Sequence, residues 1–410
     1  LTLTASGRWT DESYYDAATT YSLKAIYRPV DWLTLRATKG TSFRAPNVRE
    51  RFILGNTGFL DVSDPCVVPE IARIATDPND INSPQVYDAS QDDREQYVLD
   101  SCAANGVDAT TLGIGQGDDN FLSTTNVESE TSGTKDLDPE TSISKTWGVI
   151  LEQPFSEDFD LTLSLTRFDV EITNSIYEPT DQYTINQCYS NREEQTGGSG
   201  FCSKIERDSL GIISKVSPGF INVGLESAKG YDYNIYYQQD FLLGDENLGL
   251  VFDVQATRMD EQAVDVLGTY TDFAGYKTVP EWRGNARIAL SYSDFTFSWK
   301  TTYIAGGGYP EDELSEFAVN DACQGLTMGD GSPVLCREVD YTPDYKLHNA
   351  SLSWSNDNYY VTFGVRNVFD KAPPKVDSQL SGTNTFRNIP LGVGYDLRGR
   401  TMFLNFSMSM

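Results

Sequence analysis

The sequence lacks most of the residues and motifs on which enzyme chemistry depends. It has one histidine, His348, among 410 residues, and no GxSxG, HExxH or Walker sequence occurs in it. A single histidine excludes most Ser–His and Cys–His nucleophilic schemes, and the missing motifs exclude the common hydrolases, zinc proteases and nucleotide-binding enzymes. We therefore predict no catalytic residues and no cofactor, and we do not expect an enzyme.

Basic residues are also scarce. Lys and Arg total 31 against 60 for Asp and Glu, which gives a formal net charge of -29. A chain this acidic is repelled by phosphate backbones, so nucleic acid is excluded as a partner. The charge suits an exposed outer surface instead.

Long apolar runs are missing as well. Nothing approaches the roughly 18 consecutive apolar residues of a membrane helix, and the richest short run is Trp147 to Leu151. The mean hydropathy of -0.40 does not exclude a membrane β-barrel, because only alternate residues of a barrel strand face lipid. Leu1 to Thr4 contain no signal peptide and resemble the middle of a strand, so we expect a fragment of a longer protein.

Alternation with a period of two dominates what is present. Apolar residues on one face alternate with polar residues on the other, as in Phe295, Phe297, Trp299, Thr301 and Tyr303 against Asp294, Thr296, Ser298, Lys300 and Thr302. The same pattern recurs around residues 33–38, 248–257, 282–292 and 359–366. This is the signature of β-strands, and counting the segments predicts about twelve of them.

The predicted connections are short and long in turn. Short turns fall near 29–31, 153–158, 240–246, Ser293 and 356–358, whereas long polar segments occupy about 45–138, 175–218, 260–278, 306–342 and 370–392. Short periplasmic turns at one rim and long extracellular loops at the other are typical of outer-membrane barrels. The sequence thus predicts an all-β fold, a transmembrane antiparallel β-barrel.

Two other β-architectures remain as alternatives. A β-propeller or β-sandwich also alternates, but the inward positions here carry Arg, Lys, Asp and Glu that a packed core would not accept unpaired. A secreted β-rich binding module is the other alternative. Aromatic residues near strand ends favour the barrel, because such rings anchor at membrane interfaces: Trp32, Trp147, Trp282, Trp299, Trp354, Tyr292 and Tyr359.

The six cysteines form three neighbouring pairs, each within one predicted long loop: Cys66 and Cys102, Cys188 and Cys202, and Cys323 and Cys336. Nearest-neighbour closure costs the least chain entropy and keeps every bridge on one side of a membrane. We therefore predict three disulfides formed in an oxidising compartment. Zinc is the rival interpretation, but no CxxC spacing occurs and His348 is remote, so no metal site is predicted.

The long loops also supply the candidate binding residues. Asp118-Asp119-Asn120 carries oxygen ligands suited to Ca²⁺, but the EF-hand spacing is missing and a solvated loop face is the favoured interpretation. Loop aromatics are candidates for stacking on a ligand, and they equally suit packing of the loops against one another: Tyr183, Tyr189, Phe201, Tyr270, Phe273, Tyr276, Tyr309 and Phe317.

Four short motifs stand at strand ends. They are Ser42-Phe43-Arg44-Ala45-Pro46-Asn47, Leu137-Asp138-Pro139-Glu140-Thr141, Asn367-Val368-Phe369-Asp370-Lys371 and Gly399-Arg400-Thr401-Met402-Phe403-Leu404. In this order they resemble the C-terminal part of the barrel of TonB-dependent outer-membrane receptors, and with the alternation they cover nearly the whole chain.

The resemblance implies a function and a set of partners. Such receptors have a barrel of about 22 strands filled by a plug, so residues 1–410 would supply about the last twelve strands, with the plug and TonB box upstream of Leu1. The implied activity is TonB-dependent uptake of a scarce solute across the outer membrane of a Gram-negative cell. The implied partners are outer-membrane lipid, the TonB complex, the barrel-assembly machinery and a small or oligomeric ligand.

Two further points follow from the resemblance. The last strand places Met402, Leu404, Phe406, Met408 and Met410 on one face, which resembles the family's barrel-assembly signal, although the family usually ends in Phe or Trp. A ferric siderophore, an oligosaccharide and a peptide remain open as ligands, while haem is disfavoured because haem receptors of the family usually employ histidines. A passive channel or an adhesive barrel is the alternative function.

Overall fold

The computed structural model describes residues 1–12, 15–77, 83–114, 124–190, 200–222, 224–266, 268–308, 341–376 and 385–409. Twelve of its strands, numbered in chain order along the whole chain, form one antiparallel sheet. These are β1 (Thr2–Glu12), β2 (Tyr15–Val30), β3 (Leu33–Arg44), β8 (Glu140–Glu152), β9 (Phe159–Thr173), β14 (Leu225–Leu243), β15 (Glu246–Val266), β17 (Trp282–Tyr292), β18 (Phe295–Ile304), β21 (Tyr345–Ser355), β22 (Tyr359–Arg366) and β25 (Thr401–Met408).

The order of strands in the sheet follows their order in the chain, so each strand pairs with the next. This confirms the predicted all-β meander of about twelve strands. Within the described residues β1 and β25 each pair on one side only, and the sheet is therefore not closed.

One predicted loop begins too early. The segment 260–278 is largely strand, since β15 continues to Val266 and pairs with β16 (Thr269–Asp272). The run Asp260-Glu261-Gln262 carries no apolar alternation, and its strand conformation comes from backbone hydrogen bonding to the neighbouring strands, which residue type does not reveal.

The predicted short turns near 240–246 and Ser293 are present. Tyr292 pairs with Phe295 across a two-residue turn in which Ser293 has φ 49°. Leu243 pairs with Glu246 across a turn in which Gly244 has φ 68°. Positive φ values are those that tight hairpin turns require, because they match the twist of the flanking strands.

The sheet has one apolar and one polar face, as the alternation predicts. On the apolar face Ile288 lies opposite Trp299, and Leu352 lies opposite Phe363, which in turn lies opposite Leu404. Leu352 is 47% exposed and Leu404 is 69% exposed. Large side chains this exposed over a whole face need an apolar surrounding.

Aromatic rings mark both ends of this apolar face. Tyr292, Trp354 and Tyr359 lie beside the short turns, while Trp282 lies at the opposite end and stacks on Tyr233 at 5.5 Å between ring centroids. Amphipathic rings at two levels are the arrangement found at the two interfaces of a membrane.

Residues 44–140 and 174–223 form a second compact unit, which we call the loop unit. Its helices are α1 (Val48–Phe52), α2 (Gln96–Ala104) and α3 (Asp181–Tyr189), with 3-10 turns at Glu70–Ala72 and Cys202–Lys204. Its strands are β4 (Asn56–Ser63), β5 (Arg73–Ala75), β6 (Gln85–Tyr87), β7 (Thr124–Thr131), β10 (Ile176–Tyr177), β11 (Ile205–Arg207), β12 (Ile213–Val216) and β13 (Ile221–Asn222).

Four more short strands lie outside the loop unit: β19 (Gly307–Gly308), β20 (Tyr341–Thr342), β23 (Thr385–Phe386) and β24 (Ile389–Pro390). They form two hairpin-like pairs, β19 with β20 and β23 with β24. Among the described helices, none has the length and apolar character that crossing a membrane would require.

The loop unit has its own hydrophobic core. Val62, Val127, Ile185, Ile213 and Val216 are buried together, on β4, β7, α3 and β12. The disulfides Cys66–Cys102 and Cys188–Cys202 lie in or beside the same core. Both pairs are as predicted, while the predicted Cys323–Cys336 bridge lies outside the described residues.

Two buried ion pairs brace this core. Arg94 binds Asp92 at 2.6 Å and also donates to the carbonyl oxygens of Cys66 and Ala109. Arg207 binds Asp64 at 2.5 Å and lies over the ring of Tyr189. Buried guanidinium groups are stable only when their donors are used in this way.

The first two family-like motifs meet in one cluster. Arg44 donates to Glu140 at 2.6 Å and to Glu50 at 2.9 Å. Glu50 also accepts from the backbone N–H of Asn47, whose side chain caps α1 in return. The reciprocal pair is a capping box, so these two motifs join a strand end to a helix start.

The last two motifs meet in a second cluster. Asn367, fully buried with φ 53°, exchanges hydrogen bonds with the backbone of Lys371. Asp370, with φ 54°, accepts from the backbone N–H of Arg400 at 2.9 Å. Asn and Asp tolerate this left-handed conformation better than other residues with side chains, which explains their use at this turn.

Removal of either disulfide should destabilise the loop unit, and by unequal amounts. Cys66–Cys102 closes a separation of 36 residues and Cys188–Cys202 closes one of 14. Loop-closure entropy then predicts that the free energy of unfolding falls by about 4 kcal/mol when Cys66 and Cys102 are replaced by Ala, and by about 3 kcal/mol when Cys188 and Cys202 are. Hydrogen exchange of the α2 amides in the purified full-length protein measures both, and equal or reversed losses would contradict the entropic ranking.

Acid should weaken the loop unit through Asp92. The hydrogen bond from Arg94 lowers the pKa of Asp92 from 3.8 to about 2. A carboxyl group whose pKa is lower in the folded state stabilises that state at pH values above its unfolded pKa. This contribution of about 2 kcal/mol to the free energy of unfolding is therefore present above pH ~4 and is lost as the pH falls towards ~2. Exchange rates of wild type and Asp92→Asn should differ most near neutral pH and converge in acid; a constant difference would refute the assignment.

Candidate functional site

A cavity of about 350 Å³ opens within the loop unit. Its size falls in the range of small-molecule pockets. Apolar side chains form much of its wall, and four charged residues border it, namely Asp64, Glu70, Arg73 and Arg94. The complete lining is Ser63, Asp64, Pro65, Val67, Val68, Pro69, Glu70, Arg73, Arg94, Val98 and Ser190.

Most of the charge around this cavity is already used by the protein. Arg94 and Asp64 belong to the two buried ion pairs, and Arg73 donates from Nε to the carbonyl oxygen of Val68 at 2.8 Å. Glu70 is the exposed charged group of the set. The cavity therefore offers a ligand mainly apolar contacts and one carboxylate.

Burial changes the titration of several loop-unit groups. It raises the pKa of Asp181, which accepts a hydrogen bond from Ser129 at 3.0 Å. It lowers the pKa of Lys204, which donates to the carbonyl oxygen of Pro218. Both side chains are thus bound within the protein and have structural roles.

A second recess of about 220 Å³ lies beside the sheet. Thr257 of β15 and Arg283 of β17 are directly opposite each other on the polar face and border it together with Met259. Gln262 and the segment Thr278–Pro280 complete the wall. This recess combines hydrogen-bonding groups with a cation.

Three of the predicted loop aromatics pack inside the loop unit. Tyr189 and Phe201 are buried in its core, and Tyr183 packs edge-on to Phe201 at 6.1 Å. Ligand stacking stays a prediction for all three, although protein covers the rings of Tyr189 and Phe201 here. The packing alternative describes their contacts in this structure.

The other predicted aromatics differ from one another. Tyr270 is 56% exposed on β16, and Phe273 packs edge-on to Tyr276 at 5.4 Å. These three remain predicted ligand contacts. Tyr309 and Phe317 lie outside the described residues.

His348 is on the apolar face of the sheet. Its Nδ1 is 2.9 Å from Thr301 Oγ1, and its ring lies 5.2 Å from Phe369 and 5.5 Å from Trp299. Within the part of the chain that the structure describes, no group of three metal-ligating side chains occurs. Asp118-Asp119-Asn120 lies outside those residues.

Sequence reasoning missed a set of cations on the polar face. Arg287 of β17 and Lys300 of β18 are directly opposite each other, while Arg283 and Arg366 lie on the same face of β17 and β22. We call these four residues the basic strip. The available signal was that β17, β18, β21, β22 and β25 contain no acidic residue in a chain that has 60.

Comparisons with solved structures show the fold. A mutant of the ferric enterobactin receptor PfeA from Pseudomonas aeruginosa matches 100% of this chain with a TM-score of 0.52 at 15% identity. The siderophore receptor PirA from Acinetobacter baumannii matches 100% with a TM-score of 0.52 at 14% identity. This chain covers 42% and 43% of those receptors, less than half of their length.

Comparisons of sequence show the family. A search of the curated proteins found no match. The model of the TonB dependent receptor-like β-barrel matches residues 1–368, which is most of the chain. The predicted resemblance to this family is thereby confirmed, and the chain belongs to the family of TonB-dependent receptor β-barrels.

Proposed function

We propose that this chain forms part of an outer-membrane receptor for the TonB-dependent uptake of a scarce solute. Family membership supports an outer-membrane receptor. The observation that supports uptake most is the pairing of a two-faced sheet with a large, disulfide-bonded loop unit, since long ordered loops seldom occur without a binding role.

In this proposal the apolar face of the sheet contacts lipid and the polar face lines the interior. The long connections near 45–138, 175–218, 267–281, 306–342 and 370–392 lie outside the cell, where the disulfides stay oxidised. The twelve strands form the C-terminal part of a barrel of about 22 strands whose plug is not in this chain.

The loops capture the solute and the polar face passes it inward, while TonB supplies energy through the plug. Tyr270, Phe273 and Tyr276 are the aromatic residues proposed to contact the solute, which is a ferric siderophore, an oligosaccharide or a peptide. Met402, Leu404, Phe406 and Met408 are exposed on one face of β25, as an assembly signal requires. Met410 lies outside the described residues.

Placement of an arginine should reveal which face meets lipid. Leu352 is exposed on the apolar face at the middle of β21, and its neighbour Ser351 lies on the polar face. Leu352→Arg should cost about 2 to 4 kcal/mol in a bilayer, whereas Ser351→Arg should cost little. The fraction of full-length protein in the heat-modifiable, folded band of outer-membrane fractions measures both; equal yields would remove the lipid assignment.

Uptake should require both this receptor and TonB. In cells lacking the receptor, entry of one member of a panel of radiolabelled ferric chelates, oligosaccharides and peptides should fall to background and return with the full-length gene. The same solute should stay outside when the TonB complex is absent. Uptake that persists without TonB would support a passive channel, and binding of cells or surfaces without any uptake would support an adhesive barrel.

A further inference from the structure

The charges of the sheet are divided unevenly among its strands. The 60 acidic residues of the chain include none in β17, β18, β21, β22 or β25, whereas these strands carry Arg283, Arg287, Lys300, Lys346 and Arg366. All other strands of the twelve except β3 contain acids. The five C-terminal strands of the sheet therefore carry positive charge, although the net charge of the chain is -29.

Four of these five cations share the polar face. Arg287 and Lys300 are directly opposite each other, and Arg283 is on the same face of β17, beside Thr257 of β15. Arg366 lies over the ring of Phe403 at 5.2 Å, on the same face of β22 and β25. Lys346 is on the other face, near the ring of Tyr303 at 5.8 Å.

Direct opposition of Arg287 and Lys300 is unfavourable by itself. Side chains directly opposite on antiparallel strands have their Cβ atoms about 4.5 to 5.5 Å apart, and like charges in this position destabilise a sheet. A stability role does not explain the pair, so it needs a compensating negative group.

Among the described residues one carboxylate, Asp253 on β15, lies directly opposite Arg287, and none lies directly opposite Lys300. Arg287 donates from Nε to Ser298 Oγ at 3.2 Å, and register places Asp253 opposite it on β15, yet within the described part of the chain no carboxylate forms an ion pair with any member of the basic strip. Other cations of the sheet, such as Arg167 and Arg258, are paired with Asp260 and Glu281. The basic strip thus differs from the rest of the sheet.

Neighbouring groups suit an oxyanion. Gln262 shares the 220 Å³ recess with Arg283, and Asn285 lies on the polar face between Arg283 and Arg287. Amide N–H donors beside guanidinium and ammonium groups bind carboxylate, phosphate or deprotonated catechol oxygens with strong, charge-assisted hydrogen bonds.

We propose that the basic strip binds anionic groups of the solute as it passes along the interior of the barrel. The proposal rests on the proposed function and adds the chemical class of the solute, which carries oxyanion groups. The four cations attract such a solute inward from the loops, and its anionic groups compensate the repulsion between Arg287 and Lys300.

Charged thiol reagents test the potential of the basic strip without knowledge of the solute. Asn285→Cys in the full-length receptor, in isolated outer membranes, is labelled by sulfonatoethyl and by trimethylammonioethyl methanethiosulfonate, which differ in the sign of their charge. The anionic reagent should react faster, and Arg287→Gln with Lys300→Gln should lower the ratio of the two rates by about fivefold or more. Only the folded, heat-modifiable protein is counted.

Lys346→Gln is the control for position, because it removes one positive charge from the opposite face of the sheet, where the double variant removes two from the polar face. It should leave the ratio of labelling rates unchanged. A ratio that favours the cationic reagent, or one that the double variant does not alter, would overturn the proposal and would mean that other parts of the receptor neutralise the basic strip. Labelling needs no TonB, so this failure is distinct from failure of TonB-dependent uptake.

The imported solute supplies the second test. For the panel member that enters through the receptor, Arg287→Gln with Lys300→Gln should raise the half-saturating concentration about tenfold, the loss expected when charge-assisted hydrogen bonds are removed. Lys346→Gln should not change it. An imported solute without any anionic group would refute this inference while leaving the proposed uptake intact.

Discussion

Backbone hydrogen bonding between neighbouring strands is the constraint from which the rest of this structure follows. In hydrocarbon an unpaired N–H or C=O costs several kcal/mol, so strands can cross a membrane only when each is paired along its length. The ladder from β1 to β25 pairs all ten inner strands on both sides, in chain order. That pairing is independent of side chains, which leaves both faces free to carry function.

The side chains on the two faces of the sheet differ in polarity. On one face Ile288, Leu352 and Leu404 are large and exposed, and on the other Arg283, Arg287 and Lys300 form no ion pair with a carboxylate among the described residues. In the proposed function one face contacts lipid and the other contacts the solute. A β-sandwich would bury one face of this sheet in its core. Burial of the polar face would remove unpaired charged groups from water, which costs several kcal/mol for each group.

The loop unit is stabilised by different means. It lies outside the strand ladder and has a core of its own, closed by two disulfides and braced by the Arg94–Asp92 and Arg207–Asp64 ion pairs. A segment that begins and ends in the sheet can hold a defined cavity only if such cross-links offset its conformational entropy. Tyr189 and Phe201 fill this core.

The sequence by itself determined the period of the strands, their number, the two faces and the first two cysteine pairings, because each depends on local alternation or on short loop closure. Tertiary structure alone decided which aromatics are buried, that β15 extends to Val266, and that Arg287 meets Lys300. Those outcomes depend on strand register and on contacts between residues distant in the chain, such as Arg44 with Glu140, and neither is written in the pattern of any single segment.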